Sequence, residues 1–554
     1  MKPNRGSETG QLRARTHERR ELARAASVLG GLTLASRVTG LLRDVVIGAL
    51  FGASPSADAF FIAFRIPNLF RRVVAEGATS TAIVPVLTSY REREGPRAAL
   101  RAAGAIGIVS AIVLAGTSLL GSLFAGPIVG LFAPGFTADP AKRALTVTLT
   151  AAVFPYLGLV GMAAWAMGTL HTFRRFAPPA CGPVLFNAAM IAAALGLSGH
   201  FATPVYALAV GVLVGGALQF LVQLPALRRM GLDSDCFVPG HPAVARVGRL
   251  LIPTLLGGAV YQINVFVGTV LGSMLPPRSI SYLWYADRLF EFPLGIIAVA
   301  VGTAVLPTMA SHASGARYRE MSAGTEHALQ LVWTLCIPAT VGLWILAPSL
   351  VTGLFERGAF GRTDALLTAD ALRAFVIGLL GVASARVLVS VFYALERPRV
   401  PVFTGIVALF VNVFCDLVTM GPVAPAASST SRLIADLSTR WSMAALGHVG
   451  LALGTSIAAT INALMLFAFA RRLLPGLNVG RLARSAAKHA CAALVMAVVL
   501  EIYLGWTAGL GLPDARYVEL GGGLLIGGAT YVALCVALRS EELRDLVGSL
   551  RRTE

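Results

Sequence analysis

A chain of 554 residues that is 56% hydrophobic, only 13% charged and has a mean hydropathy of +0.73 carries too much apolar surface for a water-soluble globule, and leaves no room for a large soluble domain. Its 46 Lys and Arg exceed its 28 Asp and Glu, giving a formal net charge of +18. These cations cluster in short segments between apolar runs, where they set membrane orientation, and no basic face interleaved with exposed aromatics points to nucleic acid.

The N-terminal stretch to Arg24 holds Lys2, Arg5, Arg13, Arg15, Arg19, Arg20 and Arg24 ahead of an apolar run too long, and too rich in arginine, for a signal peptide. Residues 1–25 therefore read as a retained basic cytoplasmic arm. From there, apolar stretches long enough to span a bilayer recur about fourteen times. They lie near 26–52, 59–90, 99–131, 144–170, 177–198, 204–227, 247–275, 280–311, 325–354, 365–395, 400–420, 446–471, 486–506 and 517–538. Alternate loops are basic, as at Arg91, Arg93, Arg97 and Arg101, or at Arg228, Arg229, Arg246 and Arg249. Those between them, such as Ser198–Pro204, are nearly uncharged, which predicts both termini on the cytoplasmic side.

An internal repeat organises these spans. TAIVPVLTSY from Thr81 returns as TAVLPTMASH from Thr303, an offset of 222 residues. Nearly the same offset relates GLFAPGF at Gly130 to GLFERGAF at Gly353, and GLVG at Gly158 to GLLG at Gly378. Three matches in order predict two six-helix copies, 26–230 and 243–474, of the same orientation, the parallel kind of transporter repeat. A helix pair at 479–539 and a cytoplasmic tail at 540–554 fall outside the duplication. The predicted fold is thus an all-α polytopic membrane protein of about fourteen helices, with two pseudo-symmetric lobes around a central cationic cavity and an extra C-terminal pair.

The charges that matter lie inside the spans. Between Ser36 and Tyr90 stand Arg37, Arg43, Asp44, Asp58, Arg65, Arg71, Arg72 and Glu76. A charge near the bilayer centre costs about 2.5–3.5 kcal/mol on insertion scales, so this set must line a shared wet interior. Arg37, Gly40 and Asp44 share one helix face, as do Arg65, Asn68 and Arg72, while Arg72 and Glu76 stand four apart. The second span is too long for the membrane and must tilt or bend, with Pro67 and Pro85 as break points. YADRLFEFP in the eighth span adds Asp287, Arg288 and Glu291 ahead of Pro293. The plain alternative is a set of closed ion pairs, for example Asp58 or Asp287 with Arg43 or Arg288. The surplus of arginine favours an anionic cargo instead, because a guanidinium fork matches phosphate. Acids on the outer side would then close a gate that opens when the arginines take a phosphate.

Other polar groups carry less. Asn412 and Asp416, one turn apart on the eleventh span, offer oxygen ligands for a monovalent cation. The six cysteines are scattered, mostly within apolar runs, and His171, His241 and His312 lack partners at ligand spacing, so no metal site is expected. No nucleophile motif or phosphate-cradling glycine loop appears, and neither catalysis nor a cofactor is expected.

At SRVTGLLRD, SADAFF, RIPNLFRRVVAEGA, YADRLFEFP and GTAVLP the sequence resembles the MurJ/MviN family, within the multidrug/oligosaccharidyl-lipid/polysaccharide exporter superfamily, from about Ala25 to the last span. The resemblance implies a flippase of the lipid-linked peptidoglycan precursor in the bacterial inner membrane, serving cell wall biogenesis. It implies head-group contacts at Arg37, Arg43, Arg71 and Arg288, with Arg65, where lysine is common, and Asn68 beside them. Gate roles fall on Asp58, Glu76, Asp287 and Glu291, with Asp44 as a further ion-pair acid, and the last helix pair becomes a groove for the polyprenyl tail. A monomer with lipid partners, and no nucleic acid, is the matching expectation. Export of another polyprenyl-diphosphate glycan, or cation-coupled drug export, is the alternative within transport, although cationic drugs would want an acidic cavity. A polytopic glycosyltransferase is the competing enzyme, and the short outer loops lack its carboxylate cluster. Ala424–Ser442 is a Ser/Thr-rich lengthening of an outer loop with no assigned role.

Overall fold

The computed structural model describes residues 30–71, 82–304, 318–510 and 515–544. Among these the chain is helical, and β structure is limited to two isolated bridges, Arg357 with Phe360 and Met420 with Ala445. Helix occupies part of every one of the fourteen apolar stretches. Nine helices among the described residues are long and apolar enough to cross a membrane, or ten if Arg362–Val376 and Leu379–Ala394, bent by 43°, form one span. The charge-bearing helices 30–51, Pro55–Arg71, Pro242–Met274 and Ser279–Ala304 lie outside that set, so a count of fourteen is not fixed by apolar length alone. Glu76, Arg72 and the second copy of the repeat from residue 305 to 312 lie outside the described residues.

Packing divides the chain into two units, one of residues up to 47, 62–129 and 143–259, the other of 48–61, 130–142 and 260 onward. The first is built around Trp165, whose indole donates to the Ala103 carbonyl at 2.8 Å. Gly107 lies beneath the ring, where an added Cβ would come within 2.7 Å, so the helix Pro96–Leu123 approaches Tyr156–Thr172 through a missing side chain. An apolar cavity of about 220 Å³ opens beside it, lined by Ile106, Val109, Val113 and Val247 among others. No charged side chain lines it, so it does not suit a charged head group.

In the second unit, two glycines interlock. Gly52 has φ +61° and its missing Cβ would meet the Ala359 carbonyl at 2.4 Å; Gly358 has φ +58° and would meet the Ala49 carbonyl at 2.2 Å. The Ala359 amide donates to that same Ala49 carbonyl at 2.8 Å. Both positions need left-handed backbone and close approach, which only glycine supplies without strain. Phe61 stacks on Trp284 at 4.6 Å, while Tyr285, Phe355 and Phe360 pack ring to ring alongside.

Two of the apolar stretches are broken part-way. The fourth stretch is interrupted between Val153 and Tyr156, just before GLVG, and the tenth between Val376 and Leu379, where GLLG begins. Both motifs seat a helix against a neighbour. An added Cβ would clash with Leu114 at Gly161, and with Ser456 and Thr460 at Gly378 and Gly381.

The Ser/Thr-rich segment differs from the loop expected of it. Ser429–Trp441 is a helix, capped by Ser428, whose Oγ accepts from the Ser431 amide at 3.1 Å. Its buried face is Ser431, Ile434, Ala435 and Ser438, at helical spacing, and the serines on that face conceal the apolar period.

Candidate functional site

Apart from Arg72 and Glu76, which lie outside the described residues, the charged residues singled out in the sequence can be located. On helix 30–51 in the first unit, Arg43 is held on both sides. Its Nε and Nη2 donate to Asp44 Oδ1 at 3.0 and 2.8 Å, and its Nη1 donates to Asn187 Oδ1 at 3.0 Å. Asn187 Nδ2 in turn donates to the Ser36 carbonyl and Thr39 Oγ1. Asp44 is 2% exposed, so its charge is compensated by Arg43 rather than by water. Gly40 makes room, since its Cβ position lies 3.4 Å from Asn187 Nδ2. Arg37, one turn earlier, is half-buried, and no carboxylate bonds it among the described residues.

On Pro55–Arg71, Arg71 Nε donates to Asn68 Oδ1 at 2.7 Å, aligning the amide and the guanidinium one turn apart. Arg65 is half-buried on the same helix. In the second unit, Arg288 Nη1 pairs with Glu291 Oε2 at 3.0 Å, and its guanidinium lies over the Trp284 ring at 4.6 Å. That stacking flattens the fork against an aromatic wall. Asp287 is half-buried beside it.

Asp58 is almost fully enclosed, at 1% exposure. Sequence reasoning offered Arg43 or Arg288 as partners; the structure gives it Lys142, at 2.8 Å, with the ammonium 4.0 Å above the Phe136 ring. Asp58 also accepts from the Arg278 amide at 2.8 Å, the Ser281 amide at 2.9 Å and Ser281 Oγ at 2.6 Å. Those amides open the helix Ser279–Ala304, so Asp58 caps in trans the N-terminus of the helix that carries Asp287 and Arg288. Nearby, Asp364 accepts from Tyr282 at 2.9 Å and pairs with Arg278 at 3.3 Å. Lys142, Ser281, Asp364 and Tyr282 were all missed. The available signal was Lys142 itself, one of three lysines in the chain, two residues after Pro140.

Asn412 and Asp416 do meet: Asn412 Nδ2 donates to Asp416 Oδ1 at 3.1 Å, and both are 1% exposed. Gly454 leaves the space for that carboxylate, since a Cβ there would lie 2.0 Å from Oδ1. Among the described residues no group of three His, Cys, Asp or Glu is arranged to hold a metal ion.

The sequence profile described as lipid II flippase MurJ matches residues 47–513. The chain belongs to the MurJ family. A Burkholderia cenocepacia protein named lipid II flippase MurJ is 36% identical over 451 residues, 80% of this chain and 83% of its own length. A Vibrio cholerae protein named probable lipid II flippase MurJ is 34% identical over 549 residues, 95% of this chain and 98% of its own. The solved structure described as lipid II flippase MurJ in an inward closed conformation superposes with a TM-score of 0.74 at 24% identity, covering 94% of this chain and 99% of that one. An inward-facing multidrug MATE transporter superposes with a TM-score of 0.65 at 13% identity, over 80% of this chain and 95% of its own, which extends the shared fold but not the cargo. This MurJ-family chain is therefore a multi-pass bacterial membrane protein of transporter fold, and its relatives are named as flippases rather than as enzymes.

Proposed function

We propose that the protein is a lipid II flippase, carrying the undecaprenyl-diphosphate-linked disaccharide-peptide from the cytoplasmic to the periplasmic leaflet of the inner membrane by alternating access. Membership of the MurJ family over residues 47–513 carries this reading. The physical need is plain: a diphosphate and its sugars cannot cross hydrocarbon unaided, whereas guanidinium groups can replace their hydration while the tail stays in lipid.

Arg37, Arg43, Arg71 and Arg288, supported by Arg65 and Asn68, are assigned to the head group. Arg43 and Arg288 are already paired, with Asp44 and Glu291. A diphosphate would compete with those carboxylates, so binding of cargo and release of an ion pair become one event. Asp58, with Lys142, is assigned to an outer gate, and Asp287 and Glu291 to pairs that change partner during the cycle. Asn412 and Asp416 are the assigned positions for a monovalent coupling ion. The two repeats, 26–230 and 243–474, act as the moving lobes, the 479–539 pair guides the tail, and a monomer with both termini cytoplasmic suffices.

The decisive test is depletion of the protein in its own bacterium, followed by an enzyme that degrades lipid II only in the outer leaflet. Protected, accumulating lipid II on depletion, with access restored by wild type but not by Arg43→Ala, is the expected result. Full accessibility after depletion, with no second flippase present, would refute the cargo assignment.

A further inference from the structure

We propose that the helix Ser429–Trp441 is a membrane-interface anchor: it lies flat on the bilayer at the end of the span Arg399–Thr419, with Leu433, Trp441 and Met443 dipping into the boundary between headgroups and acyl chains. This rests on the membrane-spanning character of the chain and not on the identity of its cargo.

Three observations carry it. The span Arg399–Thr419 is 21 residues long, about 31 Å at 1.5 Å per residue, which matches one hydrocarbon core and puts Val418 at its edge. The segment after the helix is tied to that edge by backbone bonds: the Met443 amide donates to the Val418 carbonyl at 3.0 Å and the Leu446 amide to the Thr419 carbonyl at 2.9 Å. Met443 is 88% exposed at this level.

The exposed apolar surface is also continuous with a lipid-facing stripe. Phe403, Ile406, Phe410 and Phe414 fall on one face of the span and are all exposed, Phe410 by 70%. Trp441 meets the last of them, with ring centroids 5.9 Å apart. The stripe thus turns the corner at Phe414 and runs on along the helix through Trp441 to Leu433, which is 59% exposed. Tryptophan at that height suits the wet edge of a bilayer.

The remaining faces fit the same placement. Ser431, Ile434, Ala435 and Ser438 pack against the protein, and Ser431 and Ser438 accept from the Ala426 and Val423 amides to hold the helix down. Arg432, Asp436, Thr439 and Arg440 are exposed around the rest of the surface, where the two guanidinium groups can reach lipid phosphates. An amphipathic helix with apolar residues on one edge and arginines beside them is the signature of a segment lying in the interface.

The test uses the full wild-type chain in nanodiscs of phosphatidylethanolamine and phosphatidylglycerol containing a lipid with a diazirine near the carbonyl end of its acyl chain. After photolysis, adducts are mapped by mass spectrometry. Adducts on Leu433, Trp441 and Met443 alongside those on Phe410 and Phe414, with Asp436 unlabelled, are expected. Labelling of Phe410 and Phe414 with none at 433–443 would overturn the proposal, whether the face meets water or awaits a protein partner. The paired substitution Leu433→Asp and Met443→Asp should remove the adducts at 433–443 and leave those at Phe410. Persistence of Trp441 adducts at the wild-type level in that variant would also count against it. Labelling at Phe410 reports in the same sample that the variant is folded and inserted, and failure of the lipid II reading leaves every outcome unchanged.

Discussion

Asp58 and Lys142 form a buried ion pair at 2.8 Å whose carboxylate also caps the helix Ser279–Ala304 through two backbone amides. Removing one member of a buried pair typically costs about 3–5 kcal/mol, because the other is left uncompensated. Asp58 retains three donors when the lysine is lost, whereas Lys142 loses its carboxylate when the acid is lost. Asp58→Ala should therefore destabilise more than Lys142→Met. Combining Asp58→Asn with Lys142→Met should be milder than Asp58→Ala. Thermal unfolding of the purified chain in detergent reads the order, and Lys142→Met as the worst of the three would contradict it.

Asn187 positions Arg43 without itself being charged. Asn187→Leu removes an acceptor from a guanidinium and two donated bonds to Ser36 and Thr39. A loss of about 1–3 kcal/mol is expected from the orphaned polar groups. If Arg43 serves the head group, the same change should also reduce outer-leaflet access of lipid II at equal protein abundance. Full access at equal abundance would confine Asn187 to a structural role.

Gly52→Ala and Gly358→Ala should each sharply reduce the yield of folded protein, since each adds a Cβ within 2.4 Å of a backbone carbonyl at positive φ. Gly116→Ala, with nothing within 4 Å of its Cβ position, is the control and should express as wild type. Membrane abundance after expression at matched transcript level measures the difference.

Glu542, beyond the last span, gives a pH dependence of known sign. Burial pushes its carboxyl up, but hydrogen bonds donated by Ser485 at 2.6 Å and Ser540 at 2.7 Å outweigh burial and hold it below the ordinary value. A depressed carboxyl contributes stability above its unfolded pKa and loses it as pH falls through the folded value. Unfolding midpoints of wild type should therefore fall in acid more steeply than those of Glu542→Gln. Parallel midpoints would remove Glu542 from the account.

Helix content and the family were legible because each is written in periodicity or in contiguous motifs. The fourteen apolar stretches all hold helix. The one-turn spacing of Asn412 and Asp416 offers oxygen ligands for a cation, whereas the contact seen is a hydrogen bond from Asn412 Nδ2 to Asp416 Oδ1. Contacts between distant segments were not legible. Asp58 to Ser281 spans 223 residues, Arg43 to Asn187 spans 144, and nothing in local spacing encodes either. The Ser429–Trp441 helix escaped for a different reason: serine is read as a loop former, yet here it supplies both a cap and a small polar contact on the buried face.

The trans cap at Asp58 concentrates several contacts on one side chain. Four donors, from Lys142, Arg278 and Ser281, converge on one carboxylate, so loss of that carboxylate removes an acceptor from all of them at once. Withdrawing Asp58 exposes the positive end of the helix dipole of Ser279–Ala304 in the same step. The first turn of that helix is therefore anchored by a single side chain that lies more than 200 residues earlier in the chain.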